Sequence, residues 1–201
     1  MTFLPLQSAL KSAGYDPGAL DGIWGAKTLA ALMAYGAQRK ATQRTLDLAS
    51  GLISPMVGKD ITTPLRIVHF LGQCCHESGG WQYLVELGGP SYFTRYDGRL
   101  GNGPGEGYIY RGRGIIQITG KANYQAYGKK LALNLVDHPE IAAQPDVAAR
   151  IAVQYWDDHG LNAPADKDDI NTITRAINGG VNGLADRSAI LARLKAVWGL
   201  T

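Results

Sequence analysis

His76-Glu77-Ser78-Gly79-Gly80-Trp81 closes a long apolar run, and that junction decides the fold class. Upstream, Thr62-Thr63-Pro64 is a helix start: a hydroxyl to accept from an early backbone N–H, then proline in the first turn. From Leu65 to His76 the chain is apolar nearly all round, with Ile67, Val68, Phe70, Leu71, Cys74 and Cys75. Such a helix lies in the middle of a core. Gly79-Gly80 ends it. Glu77 thus stands at the end of a rigid, buried helix, a firm mount for a functional carboxyl.

Working outward, the same periodicity predicts a mainly α protein. Gln38 to Thr45 is a polar junction, and a helical region begins over Leu46 to Ile53. Helices are expected over Asn123–Leu131, Pro145–His159, Asp168–Ile177 and Ala185–Trp198. Residues 80 to 112 read as loops with one short helix. The last helix gathers Ile190, Leu191, Leu194, Val197 and Trp198 on one face. Docking on the core is the expected role of that face; a membrane-active helix is the alternative.

A chain of 201 residues can bury a substantial core but is short for two full-sized domains. A net charge of +3 is too small to demand nucleic acid and suits a polyanionic target such as a bacterial wall. No apolar run approaches a membrane span, and no signal peptide is visible. Stable membrane insertion is therefore not expected. Cys74 and Cys75 are adjacent, so a bridge between them would be strained. They read as small apolar helix residues made in a reducing compartment. A Cys-Cys-His metal site lacks a second ligand cluster, so neither metal nor cofactor is expected.

Residues 1–38 read as a small helical module, and residues 39–201 as the main domain. In the module, Leu6, Ala9 and Leu10 share a helical face, Tyr15-Asp16-Pro17-Gly18 is a turn, and Thr28 to Tyr35 is a second helix. The order Gly-Tyr-Asp-Pro-Gly, Asp-Gly-Ile-Trp-Gly, Lys-Thr-Leu resembles an abbreviated repeat of three-helix peptidoglycan-binding domains. That resemblance makes Asp21 and Trp24 the wall-binding candidates.

Glu77 and a second carboxylate nine positions later, Glu86, are the minimum equipment for glycoside hydrolysis. Inversion needs a proton donor and a water-activating base, roughly 6.5–9.5 Å apart. Glu77, beside apolar groups, is the expected acid, kept protonated by burial. Glu86, in a more polar stretch, is the expected base; Glu106, between two glycines, competes for that role. Downstream, Gly112-Arg113-Gly114-Ile115-Ile116-Gln117-Ile118-Thr119-Gly120 aligns small and polar residues. If this strip is extended, Gln117 and Thr119 face one side. Thr119 would then hold the attacking water, and Asn123 would join the cleft. Aromatics among glycines, Tyr96 included, fit the floor of a sugar site. A serine triad lacks Gly-x-Ser-x-Gly, a zinc peptidase lacks His-Glu-x-x-His, and a phosphate loop lacks Gly-Lys-Ser/Thr.

His-Glu-Ser-Gly-Gly at 76–80, Tyr-Arg-Gly-Arg-Gly-Ile-Ile-Gln-Ile-Thr-Gly-Lys-Ala-Asn-Tyr at 110–124 and Ile-Asn-Gly-Gly at 177–180 resemble glycoside hydrolase family 19. That family holds plant-type chitinases and a branch of phage endolysins. The resemblance implies a lysozyme-like, two-lobed helical fold and an inverting mechanism with Glu77 as acid. It places Thr119 at the water and Gln117, Asn123 and Asn178 on substrate. It places Arg187 there as well, or in support of the acid–base network. With the wall-binding-like head, it implies a monomeric endolysin made in the host cytoplasm and acting on the peptidoglycan backbone. A holin-like lesion would give it access to the wall. A chitinase, and an inactive wall-binding protein, are the other readings.

Overall fold

The computed structural model describes residues 2–200. Ten α-helices follow in order: α1 Leu4–Ser12, α2 Ala26–Gly36, α3 Gln43–Gly58, α4 Pro64–Glu77, α5 Pro90–Phe93, α6 Lys121–Leu131, α7 Pro145–Asp158, α8 Asn162–Asp166, α9 Ile170–Asn178 and α10 Leu184–Trp198. Short 3-10 turns cover Thr94–Tyr96 and Pro139–Ala143. Among the described residues β-structure is confined to two isolated antiparallel bridges, Val85 with Arg113 and Arg113 with Ile118.

Two helix starts show why the chain folds where it does. Thr63 accepts from the Arg66 N–H, and Pro64 opens the first turn of α4. Thr42 and Thr45 cap α3 reciprocally, each side chain taking the other's backbone N–H. That box moves the start of α3 to Gln43, ahead of the expected Leu46. The polar junction is correspondingly shorter. Helix α8 is an addition to the expected set, and α9 begins two residues later than predicted because Asp169 is its N-cap.

Apolar packing forms two clusters. The larger joins Leu10, Leu29 and Leu32 of the first two helices to Leu48 and Leu52 of α3, Phe70 and Leu71 of α4, Trp156 of α7 and Leu194 of α10. Phe70 and Trp156 meet edge to face at 5.5 Å. The smaller cluster joins Tyr110, Ile118, Tyr124, Tyr127, Val147 and Ile151. Helix α7 serves both, with Ala148 and Ala152 on one side and Val147 and Ile151 on the other. Two lobes on a shared helix leave a cleft between them.

The head is not separately cored. Trp24 packs against Phe3 at 4.9 Å and against Trp198 of α10 at 5.8 Å. Leu194 approaches the backbone of α2 at Gly36, where an added Cβ would meet it at 2.8 Å. The apolar face of α10 is thus docked, with Ile190, Leu191 and Leu194 buried. No helix among the described residues is long and apolar enough to cross a membrane. Cys74 and Cys75 are free and buried, and burial pushes the Cys75 thiol up to about 12.

Helix α4 is also tied to α10 through Asp168, which takes a hydrogen-bonding contact from one and a charge pair from the other. Buried His69 meets Asp168 at 2.8 Å, and Lys195 pairs with the same carboxylate. Burial holds the His69 imidazole below its ordinary value, against the pull of Asp168. The unfolded chain therefore takes up a proton near the ordinary value of 6.5 that the folded chain resists. Stability is full above that pH and falls below it. We expect the urea midpoint to drop between about pH 7 and about pH 5.5, and His69→Gln to flatten the slope over this range. An unchanged slope in the variant would remove His69 from the account.

Candidate active site

Glu77 is the last residue of α4, and its side chain lines a cleft of about 350 Å³. Gln117, Thr119, Asn123 and Tyr127 line the same cleft from the smaller lobe, with Tyr155 and Ile177 beside Glu77. The turn after α4 is tightly held. Ser78 donates to the Cys74 carbonyl and accepts from the Trp81 N–H. Gly79 and Gly80 take left-handed φ of 59° and 72°, which suits residues without a Cβ.

Glu77 Oε1 accepts from Arg187 Nη2, and Arg187 Nη1 donates to Gln73 Oε1. Gln73 lies four residues before Glu77, so the two stack on one helix face. Gln73 in turn donates to Thr174 Oγ1 of α9 at 3.4 Å. No donor among the described residues reaches the other oxygen of Glu77. The Arg187 side chain is 1% exposed. Its assignment to substrate contact is therefore corrected: a group sealed beneath the cleft cannot touch a sugar, and its partner is the acid itself. The picture of a carboxyl surrounded by apolar groups is corrected with it, since a guanidinium is the nearest charge.

Glu86 sits on the loop after Val85, whose bridge to Arg113 holds it beside the second motif. Its backbone N–H donates to the Gly112 carbonyl at 2.8 Å, and its Oε2 accepts from the Gly112 N–H at 3.0 Å. Its Oε1 accepts from Arg95 at 2.8 Å and from the Tyr96 hydroxyl at 3.0 Å. Gly112 is the pivot here. A Cβ on it would lie 2.8 Å from Gln117 Oε1 and 3.0 Å from Glu86 Oε2. Both side chains therefore close on one backbone position: Gln117 lines the cleft, and Glu86 stands beside it without lining the cleft itself.

The 112–120 stretch is not an extended strip. Arg113 and Ile118 pair with each other, and residues 114–117 form the turn between them. Gln117 has a φ of +53° and donates to the Gly114 carbonyl at 2.7 Å. Thr119 donates to the Gln117 carbonyl at 3.0 Å. Both reach the cleft because the turn folds over on itself, and strand alternation plays no part. Asn123, exposed in the first turn of α6, donates to the Thr119 carbonyl at 2.8 Å.

Glu106 is engaged elsewhere. Its Oε2 accepts from the Gly103 N–H at 2.6 Å, and its Oε1 pairs with Lys121 at 2.7 Å. The Gly103 N–H first, then Lys121, hold its carboxyl below the usual value.

The whole arrangement has relatives. A family model, glycoside hydrolase 19, described as chitinase class I, matches residues 50–176. This chain belongs to glycoside hydrolase family 19. It is a chitinase-like glycoside hydrolase. A family-19 domain-containing protein of Haemophilus influenzae is 35% identical over 156 residues, covering 62% of this chain and 76% of that protein. Basic endochitinase CHB4 of Brassica napus is 34% identical over 138 residues, covering 66% of this chain and 49% of the plant protein. The chain thus spans about half the length of that endochitinase. Chitinase C from Streptomyces griseus shares the fold with a TM-score of 0.72 at 24% identity, over 90% of this chain and 96% of its own.

The remaining site residues of this family-19 domain fall on its rim or off it. Tyr96 spends its hydroxyl on Glu86 and on Arg95, at 3.0 Å each. Asn178 is exposed at the end of α9, next to cleft-lining Ile177. Asp21 accepts from Gln7 at 3.0 Å and from the Ile23 N–H at 2.9 Å, and Trp24 is half-buried in the Phe3–Trp198 cluster. Both wall-binding candidates also hold the head together, Asp21 from an exposed position and Trp24 from a half-buried one. Sequence reasoning missed Tyr155 and His159, which stack at 4.0 Å on the cleft wall. Burial first, and then the Glu77 carboxylate, push the Tyr155 phenol up. Their spacing of four at the C-terminal end of α7 is the sequence signal, and Tyr155 fits the apolar period of that helix as well.

Proposed function

We propose that this family-19 enzyme hydrolyses the β-1,4-linked backbone of bacterial peptidoglycan by inversion, as a phage or prophage endolysin. The observation that carries the acid assignment is Glu77 in the cleft wall, with one oxygen held by Arg187 and the other unclaimed by any described residue. Glu77 protonates the leaving glycosidic oxygen. Glu86, pinned at Gly112 beside Gln117, takes a proton from water, and Thr119 orients that water. Gln117 and Asn123 bind the sugar. Asn178 and the ring of Tyr96 extend the contact at the rim. A single displacement without a covalent intermediate needs no group beyond these.

The peptidoglycan substrate rests on the head, whose sequence resembles a wall-binding repeat and which is built into the catalytic core. It acts as a monomer, released to the wall through a holin-like lesion. Chitin is the second reading, favoured by the endochitinases among the relatives. Purified sacculi and chitin hexamers, digested in parallel, decide between them. Sacculus fragments with new reducing ends at N-acetylmuramic acid support the proposal. Cleavage of chitin with intact sacculi refutes it.

The choice of base has its own test. Glu86→Gln keeps the Gly112 contact yet lowers kcat by about a hundredfold, whereas Glu106→Gln costs less than about fivefold. The reverse order would hand the role to Glu106.

A further inference from the structure

Two recesses larger than the cleft lie where the head meets the main domain. One, of about 650 Å³, is walled by Arg39, Lys40 and Arg44 against Gly80, Trp81 and Gln82. The other, of about 710 Å³, is walled by Tyr15, Asp16 and Lys27, and again by Arg39 and Lys40. Arg39 and Lys40 border both recesses, which adjoin there as two halves of a groove. It begins at the head's first turn and ends at the turn directly after Glu77. At that end a Cβ on Gly80 would lie 3.1 Å from Arg39 Nε, so the guanidinium rests over the bare backbone.

The charge of the groove is distinctive. Residues 1–45 hold five of the twenty Lys and Arg but two of the seventeen Asp and Glu. The whole excess of +3 therefore resides in the head and its junction, and the rest of the chain is balanced. Elsewhere Lys59, Arg66, Arg95, Lys121, Lys130, Arg187 and Lys195 each pair with a carboxylate, and Arg111, Arg113, Arg150 and Arg193 donate to backbone carbonyls. Among the described residues Lys27, Arg39, Lys40 and Arg44 pair with none. Arg44 donates to the Gln82 carbonyl at 2.6 Å. Asp16 is the acid in the wall, and its Oδ1 is taken by the Gly18 N–H at 2.9 Å. Four clustered cations facing one carboxylate repel one another, and an anionic ligand relieves that repulsion.

We propose that this groove binds a carboxylate-bearing strand of the wall polymer, through its peptide-stem and lactyl carboxylates, apart from the strand being cut. The identity of the polymer rests on the peptidoglycan reading; the anionic character of the ligand rests on the groove alone. Exposed cations contribute weakly one at a time, but a polymer engages several together, and holding it raises the effective concentration of bonds at the cleft.

Co-sedimentation with purified sacculi tests this, on a Glu77→Gln background so that the polymer is not cut. We expect Lys27→Gln/Arg39→Gln/Lys40→Gln to bind about tenfold more weakly at low salt. The same triple change on active enzyme leaves turnover of peptide-free glycan oligomers unchanged. Sacculi with amidated carboxylates should bind the unaltered groove as weakly as native sacculi bind the triple variant; this arm does not depend on the variant folding. The proposal is overturned if the triple variant or the amidated sacculi bind at full strength. It is equally overturned if phosphatidylglycerol vesicles capture the protein more strongly than sacculi do. Sacculi that are bound through these cations but never cleaved by the active enzyme would refute the muramidase reading and leave the groove standing.

Discussion

Glu77→Gln lowers kcat on sacculi or soluble glycan oligomers by about three to four orders of magnitude, the upper range for loss of a general acid. The substitution is chosen for what it keeps. The amide oxygen still accepts from Arg187, so the link to Gln73 and Thr174 persists and the unfolding midpoint moves little. What it removes is an acidic group able to give a proton to a leaving glycosidic oxygen, the role proposed for Glu77. KM should change little, because the carboxyl's contribution is made in the transition state. A variant that retained more than about a tenth of wild-type kcat would remove Glu77 from the chemistry.

Arg187→Met is expected to cost about 3–5 kcal/mol of stability, read from urea unfolding, and to depress kcat as well. The guanidinium is buried and serves two acceptors at once. Removing it leaves Gln73 Oε1 and Glu77 Oε1 without their donor, and the cost is that of two desolvated acceptors. Arg187→Lys should recover part of the stability, since one ammonium cannot reproduce the fork that reaches both residues. A loss below about 1 kcal/mol in the methionine variant would mean the pair is solvated.

The parts of this molecule that are local in sequence are legible in it. Thr63-Pro64 at one end and Gly79-Gly80 at the other bracket α4 completely, because capping and left-handed turns depend on neighbours. Glu77 follows from that bracket. Glu86 is visible as a second carboxylate, but its pinning to Gly112 depends on a bridge across 26 positions. Arg187 lies 110 positions from Glu77, and only the family resemblance, not its apolar period on α10, points to it as support for the acid. Gln117 and Thr119 show the opposite failure. The chain reads as an alternating strip there, yet Gly114 admits a tight turn that the pattern conceals, and the residues arrive in the cleft by a different route. The packing of the head is hidden in the sequence for a related reason. Asp21 and Trp24 sit in a motif that resembles a ligand-binding repeat, while their partners, Gln7 and Trp198, come from both ends of the chain.

That last contact bears on protein engineering. Because Trp198 closes over Trp24 and Phe3, the head cannot be lifted off as a cassette. A chimera that grafts another targeting module in its place would strip the cover from α10 and leave a greasy seam on the catalytic body. Useful retargeting would instead append new modules outside an intact head, where the seam stays shut.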